Sequence, residues 1–374
     1  MSLYLDISAA VHRRAGLGRY AESLARELAD RVPDRLAFFY NAENGIEPLK
    51  GLEQTPTHTV ALGYKPWRML VWLGQLAGTG FNRLVPGARL FHATEHLLLP
   101  LRGIPTVLTV HDLIFRQLPQ HHKRLNRWYL NLTMPLYCRR ASHIIAVSEA
   151  ARRDLMAAYG VPSEKITVIY EAADPRFCRQ SAVAVASALA RYDLPARYLL
   201  FVGTIEPRKN LGRLLAAFER IYREGLSDAL VIVGKRGWLY DDFFAALEHS
   251  PVREHVIFPG FVPDADLPAV YTGAQALVLP SLCEGFGLPV LEAMACRTPV
   301  ICSNTSSLPE VAGDAALLVD PTHVDEIAGA ITRVLTDSAL HAQMRVRGEE
   351  QAARFSWERT AEETLAVYQQ LVDL

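Results

Sequence analysis

Glu284 and Glu292 stand eight positions apart in PSLCEGFGLPVLEAMACRTPV, Pro280 to Val300, around a two-glycine turn. Glu284 follows the apolar run ALVLP, and Glu292 falls about one turn into the helix that Pro289 begins. A carboxylate accepts hydrogen bonds from hydroxyls, while the amides of Gly285, Phe286, Gly287 and Leu288 offer donors to an anion. Acceptors and donors together suit a polyhydroxylated ligand that carries phosphates. The plainer alternatives are a solvated loop acid at Glu284 and an acid favoured by the helix dipole at Glu292.

Matching cations lie upstream. In FVGTIEPRKNLGRLLAAF a strand ends at Val202 and Gly203, a loop carries Glu206, Arg208 and Lys209, and a helix starts at Asn210 or Leu211. Cations at a helix amino terminus oppose its dipole unless an anion binds there. A diphosphate fits, with Arg208 bidentate and Lys209 as a point charge; the alternative is a surface pair bridged to Glu206. LVIVGKRGWLYDD repeats the pattern with Gly234, Lys235, Arg236 and Gly237, as a phosphate loop or a charged turn. The absence of GxxxxGK[ST] argues against a nucleoside triphosphatase.

The first half supplies a second set. DISAAVHRRAGLGRYAESLARELA puts Gly16 and Gly18 between the first strand and the first long helix. The spacing is not GxGxxG, so a dinucleotide site is disfavoured, and a turn that admits substrate or a purely structural turn remains. His111 and Asp112 end the run TVLTV, where the imidazole meets a sugar hydroxyl or the pair acts as a cap. Ser148, in IIAVSEAARRDL, is placed to cap a helix, a role compatible with substrate contact. His92, His96, His121 and His122 show no metal-ligand spacing, and no metal site is expected.

These loops need strands to hold them. Short apolar runs alternate with longer periodic stretches, the pattern of an α/β chain with mostly parallel strands. Strands are predicted at Leu3–Ile7, Leu36–Tyr40, Leu90–Ala93, Thr106–Val110, His143–Val147 and Ile166–Ile169, and a helix at Arg19–Asp30 with Tyr20, Leu24, Ala25 and Leu28 on one face. RYLLFVG, ALVIVG, HVIFPG, QALVLP, PVICS and AALLVD continue the rhythm as a second doubly wound sheet. At 374 residues, half of them apolar, the chain exceeds one core. The expected division is a first domain at 1–175, an alanine-rich linker at 176–197, a second domain at 198–357, and a last helix at 358–372 able to pack on either. Open parallel sheets bind ligands outside the carboxyl ends of their strands, here at a central cleft.

Bulk chemistry excludes several classes. With 39 basic and 40 acidic residues the chain has no overall field for nucleic acid. Cys138, Cys178, Cys283, Cys296 and Cys302, an odd number without CxxC pairs, read as reduced and mostly buried thiols. No basic leader precedes an apolar core at the amino terminus, and no run of 18 apolar residues occurs, so a cytoplasmic protein is expected. YKPWRMLVWLGQLAGTGFNR and HHKRLNRWYL mix aromatic and basic residues, as peripheral contacts with an anionic membrane or as helices packed inside the first domain.

FVGTIEPRKN, VGKRGW and the stretch from VIFPGFVPDADLP to AALLVDP, with GRYAESLARELA, VHD and VSEAARRDL, resemble the family 4 retaining glycosyltransferases of GT-B fold over nearly the whole chain. The resemblance implies two Rossmann-like domains facing a cleft, with a nucleoside diphosphate sugar on the second. It also implies transfer of a hexose to a glycan or polyprenyl-linked glycan hydroxyl, with no metal or other cofactor. By it, Arg208 and Lys209 match the basic pair on the diphosphate, Glu284 the acid at the transferred sugar, and Glu292 the acid on ribose hydroxyls. Gly16 and Gly18 match the glycine loop near phosphate and acceptor, and His111 the histidine beside the sugar. Gly234, Lys235, Val262 and the amides of Gly285, Phe286, Gly287 and Leu288 complete the donor site, and the last helix returns to the first domain. Thr204 departs from the pattern, standing where many members carry an arginine. DIS with GRY, VHD, EPRKN and GKRGW look closest to mannosyl- or related transferases of bacterial surface polysaccharide, including O-antigen and lipopolysaccharide, which implies GDP-mannose as donor. A nucleotide-sugar 2-epimerase and a non-catalytic nucleotide-sugar-binding protein are the alternatives.

Overall fold

Residues 2–42, 46 and 48–373 are described by the structure, a computed structural model. The first sheet has seven strands, Ser2–Asp6 (β1), Leu36–Asn41 (β2), Thr57–Val60 (β3), Ala88–Ala93 (β4), Thr106–Val110 (β5), His143–Ala146 (β6) and Ile166–Val168 (β7), in the order β3-β2-β1-β4-β5-β6-β7. The second has six, Tyr198–Val202 (β8), Ala229–Val233 (β9), Val256–Ile257 (β10), Ala276–Leu279 (β11), Val300–Ser303 (β12) and Leu317–Val319 (β13), in the order β10-β9-β8-β11-β12-β13. Every ladder is parallel. The doubly wound α/β architecture read from the apolar rhythm is the one found.

Burial on both sheet faces explains why the central strands are continuous apolar runs: β5 (TVLTV) and β8 (YLLFV) are buried at every position. β3 has no such run. Its sequence, THTV, alternates exposed and half-buried residues at the sheet edge, so apolar patterning did not reveal it. In each sheet the chain winds outward from the first strand to one edge and then returns to the other side. The switch point therefore lies between β1 and β4 in the first sheet and between β8 and β11 in the second. Loops far apart in sequence become neighbours at those two places.

Two units divide the chain. The first comprises Met1–Arg116, Arg124–Glu171 and Ser356–Leu374; the second comprises Gln117–Lys123 and Ala172–Phe355. The last helix, Trp357–Leu371, joins the first unit, where the Tyr368 hydroxyl lies 2.6 Å from His92 Nδ1 and Thr360 Oγ1 donates to the Tyr170 carbonyl at 2.7 Å. The first core gathers Tyr4, Phe39, Trp67, Phe91, Met134 and Tyr137. The alanine-rich stretch is not extended throughout: Ala182–Arg191 is a helix, capped by Ser181, within the second unit. All five cysteines are free thiols, and only Cys178 is exposed.

Candidate active site

The second unit builds its site where β8 and β11 adjoin. After β8 the chain makes one tight turn, Pro207–Lys209, and Asn210 adopts a left-handed conformation (φ 60°) before the helix Leu211–Arg223. The Asn210 side-chain amide donates to the carbonyls of Pro280 at 2.9 Å and Pro321 at 2.6 Å, which ties this turn to the chain just past β11 and β13. The Leu282 amide donates to the Arg208 carbonyl at 2.8 Å. Arg208 and Lys209 are thereby held beside Glu284, 75 positions beyond Lys209.

Arg208 donates to Glu284 Oε2 at 2.7 Å and to the Cys283 carbonyl at 3.0 Å, and its Nε lies 2.6 Å from Glu206 Oε1. Lys209 Nζ pairs with Glu284 Oε1. Glu206, Lys209 and Glu284 are all buried, so Glu284 is not a solvated loop acid; the bridge to Glu206 considered from the sequence is present, with Arg208 half-buried and Lys209 off the surface. Burial by itself raises the Glu284 pKa, but Arg208 and then Lys209 outweigh it and hold the carboxyl down to about 2. Lys209 is pulled below the usual lysine range by burial and then by Arg208, against the attraction of Glu284. One guanidinium, one ammonium and two carboxylates thus form one cluster, buried except for part of Arg208, that sums to zero. A diphosphate that engages the cations must draw them away from carboxylates.

The glycines here answer to close approach. A Cβ at Gly234 would stand 1.9 Å from the Gly203 carbonyl oxygen, and one at Gly237 would stand 2.5 Å from Thr204 Cγ2. The loops after β8 and β9 are zipped by the Ile205 amide on the Lys235 carbonyl and the Gly237 amide on the Ile205 carbonyl, each at 3.0 Å. Lys235 is exposed, Thr204 half-buried and Val262 buried. In the loop after β11 the Glu284 amide donates to Ser306 Oγ at 2.9 Å, and the Ser307 hydroxyl lies 2.7 Å from the Phe286 carbonyl. Phe286 packs edge-on to Phe355, and Gly287 (φ 116°) precedes the helix Leu288–Ala295. Glu292 is buried in that helix and accepts from the Tyr271 hydroxyl at 2.7 Å.

Sequence reasoning missed the segment Gln117–Lys123, which flanks these loops within the second unit. Cys283 Sγ donates to Gln117 Oε1 at 3.0 Å, Trp238 Nε1 donates to the His121 carbonyl at 2.8 Å, and the His122 and Trp238 rings stack. No local motif marks such a segment.

The first unit carries its polar cluster at the switch point between β1 and β4. Gly16 and Gly18 do not form a loop before the helix, since the helix begins at Ala15 and holds both in its first turn. A Cβ at Gly18 would stand 2.9 Å from the Ala9 carbonyl oxygen, so this glycine serves helix packing, whereas Gly16 faces open space. His111 is buried, with Nδ1 3.0 Å from Glu171 Oε1 and Nε2 2.9 Å from the Thr94 carbonyl. Both partners are acceptors, so the ring satisfies both only as imidazolium. Burial opposes that charge, but Glu171 prevails and the His111 pKa is raised. The expected nitrogen for a sugar hydroxyl is therefore already engaged. Asp112 is the local cap, accepting from the Ile114 amide at 3.0 Å, and Ser148 caps the helix Glu149–Tyr159 through the Ala151 amide at 3.0 Å.

Asp6, Arg14 and Glu95 were not anticipated. Arg14 pairs with Glu95 Oε2 and stacks over Tyr64 at 3.6 Å. Asp6 Oδ1 accepts from the Ser8 amide at 2.8 Å, and burial, reinforced by Glu95, pushes its carboxyl up to about 7. Asp6 ends β1 and Glu95 follows β4, and the two become adjacent only through strand order, with Arg14 just before the helix Ala15–Arg31.

The chain matches two family descriptions, Glycosyltransferase Family 4 over residues 14–177 and Glycosyl transferases group 1 over residues 191–351. It is 31% identical over 370 residues to the O-antigen chain mannosyltransferase B of Escherichia coli, covering 95% of this chain and 96% of that protein. The O-antigen chain mannosyltransferase RfbU of Salmonella typhimurium is 29% identical over 272 residues, covering 71% of each chain. Among solved structures, a sucrose-phosphate synthase of Thermosynechococcus elongatus superposes with a TM-score of 0.79 at 21% identity, over 99% of each chain. WaaG, a glycosyltransferase involved in lipopolysaccharide biosynthesis, does so at 0.74 and 15% identity, over 98% of this chain and 99% of its own. With likeness to one relative along its whole length and the same two-sheet fold, the chain belongs to the family 4 glycosyltransferases of GT-B fold and is a glycosyltransferase.

Proposed function

We propose that this glycosyltransferase moves mannose from GDP-mannose to a hydroxyl of a glycan or polyprenyl-linked glycan, with retention at the anomeric carbon, in the assembly of a bacterial surface polysaccharide. The observation that carries this reading is the buried Arg208–Lys209–Glu284 cluster at the switch point of the second sheet. The sugar identity is supported by the names of the relatives, which include mannosyltransferases of O-antigen chains.

In the reaction the bond between the anomeric carbon and the diphosphate oxygen breaks, and one to the acceptor oxygen forms. The diphosphate leaves with the bonding pair, and the acceptor proton passes to the departing phosphate or to solvent. Negative charge grows on the leaving group, so Arg208 and Lys209 stabilise the transition state more than the ground state. Glu284 takes sugar hydroxyls as the cations turn to phosphate, Glu292 takes ribose hydroxyls, and Lys235 and the amides of Gly285–Leu288 complete the donor site. With two cations on the diphosphate the reaction needs no metal. The protein works in the cytoplasm, at the inner face of the membrane.

A panel of nucleotide sugars tests this through thermal unfolding, because a ligand bound only by the folded state stabilises it by about 2.7 kcal/mol at a hundredfold excess over Kd. GDP-mannose is expected to protect most, and nucleotide release to require an acceptor. Release without acceptor, with sugar epimerised, would instead mark an epimerase, and no release with any acceptor would mark a binding protein.

A further inference from the structure

Two helices of the first unit, Tyr64–Ala77 and Arg124–Arg140, adjoin. Trp72 meets Trp128 edge-on with ring centroids 6.1 Å apart, Arg68 lies 3.8 Å over the Tyr129 ring and donates to Asn126 Oδ1 at 2.9 Å, and Arg140 donates to Gln75 Oε1 at 2.7 Å. Their inner faces enter the core through Trp67, Val71, Leu130, Met134 and Tyr137. Their outer faces are also apolar. Of the fourteen large hydrophobic side chains exposed among the described residues, seven belong to this pair: Met69, Leu70, Leu73 and Leu76 on one helix, and Leu125, Trp128 and Leu132 on the other.

Charge on this face has one sign. The helices contain Lys65, Arg68, Arg124, Arg127, Arg139 and Arg140 and no acid, and no Asp or Glu occurs anywhere in 54–94 or 113–148, in a chain whose acids and bases balance. Exposed Lys65 opens the stripe Met69, Leu73, Leu76 at helical spacing, and exposed Arg124 opens the stripe Trp128, Leu132. An apolar ridge rimmed by cations marks an interaction surface. A second copy is a poor occupant, because a two-fold contact sets the same patch on both sides and brings like cations together. An anionic lipid surface complements both features, taking the aliphatic and indole groups at the headgroup boundary and the cations at the phosphates.

We propose that the outer face of Tyr64–Ala77 and Arg124–Arg140 docks the enzyme on anionic phospholipid, a reading that deepens the proposed use of a lipid-linked acceptor. Flotation of the full chain with vesicles of phosphatidylcholine alone, or mixed with phosphatidylglycerol, tests it. Binding is expected on the mixed vesicles only and is expected to fall with salt. Lys65→Gln with Arg124→Gln weakens it by about thirtyfold, taking roughly fivefold for each cation near the surface. Leu73→Glu with Leu125→Glu abolishes flotation while leaving the unfolding midpoint in place. Equal binding to neutral vesicles, no binding by the wild-type chain, or undiminished binding by the glutamate variant overturns the proposal. So does a wild-type dimer that the glutamate variant converts to monomer, which assigns the face to a second copy. Turnover on a water-soluble acceptor is followed in parallel: loss of flotation with transfer intact reports on the surface alone, whereas flotation without any transfer refutes the assigned reaction and not the surface.

Discussion

Glu284 sits between Arg208 and Lys209 in the second unit, and replacing it with glutamine removes the charge while keeping the shape. The fall of its pKa from the ordinary 4.5 to about 2 corresponds to about 3 kcal/mol of preference for the carboxylate in the folded state. Lys209 is buried, so the variant leaves an ammonium with no carboxylate at hydrogen-bond distance, a situation that costs about 3–5 kcal/mol in comparable buried pairs. Glu284→Gln is therefore expected to lower the unfolding midpoint of this unit by about 6–20 °C, taking 2–4 °C per kcal/mol for a unit of this size. Adding Lys209→Met should restore much of the loss, because the orphaned charge goes with it, and a double-mutant cycle would show coupling of about 2 kcal/mol or more. Saturating GDP should narrow the gap to wild type, since phosphates then satisfy the freed cations. The pH dependence has a definite sign. The folded pKa is depressed, so the stabilisation is complete above pH 4.5 and is lost as pH falls towards 2, a loss the variant does not share. An unchanged midpoint in Glu284→Gln, or a Lys209→Met cost that is the same with and without Glu284, would show that the two side chains do not form a coupled buried pair.

Further outcomes follow from other positions. Gly234→Ala is expected to cost more than 3 kcal/mol in urea unfolding, because its Cβ would stand 1.9 Å from the Gly203 carbonyl oxygen, whereas Gly16→Ala has nothing within 4 Å and should leave stability equal or slightly raised. Equal midpoints for the two would contradict the close approach. Asp6 has its pKa raised to about 7, so folding binds an extra proton and the first unit loses stability as pH rises from about 4 to 7. Asp6→Asn should abolish that slope and gain up to about 4 kcal/mol at pH 8, read from denaturant midpoints across pH. His111 has its pKa raised by Glu171 against burial, so its pair stabilises the fold below pH 6.5 and is lost as pH rises through the folded pKa. Titrated by imidazole NMR, Glu171→Gln should bring the His111 pKa down; an unmoved titration would remove Glu171 as the cause.

The amino-acid sequence alone determined the α/β class, the positions of most strands to within about two residues, and the Ser148 cap, because burial of a parallel strand and capping of a helix write themselves into local residue types. The polar strand β3 and the helix Ser338–Ala352, with few buried positions, left no such local mark. Local spacing also nominated Arg208, Lys209 and Glu284 as residues with chemistry to do. That they form one buried cluster was decided by tertiary structure, through the winding order that sets β8 against β11 and so closes a gap of 75 positions. The same holds for His111 with Glu171 and for Asp6 near Glu95, whose partners lie at the ends of different strands. Periodicity reports which face of an element is buried, but it carries no information about which other loop arrives there, and the protonation of a buried group depends on that arrival.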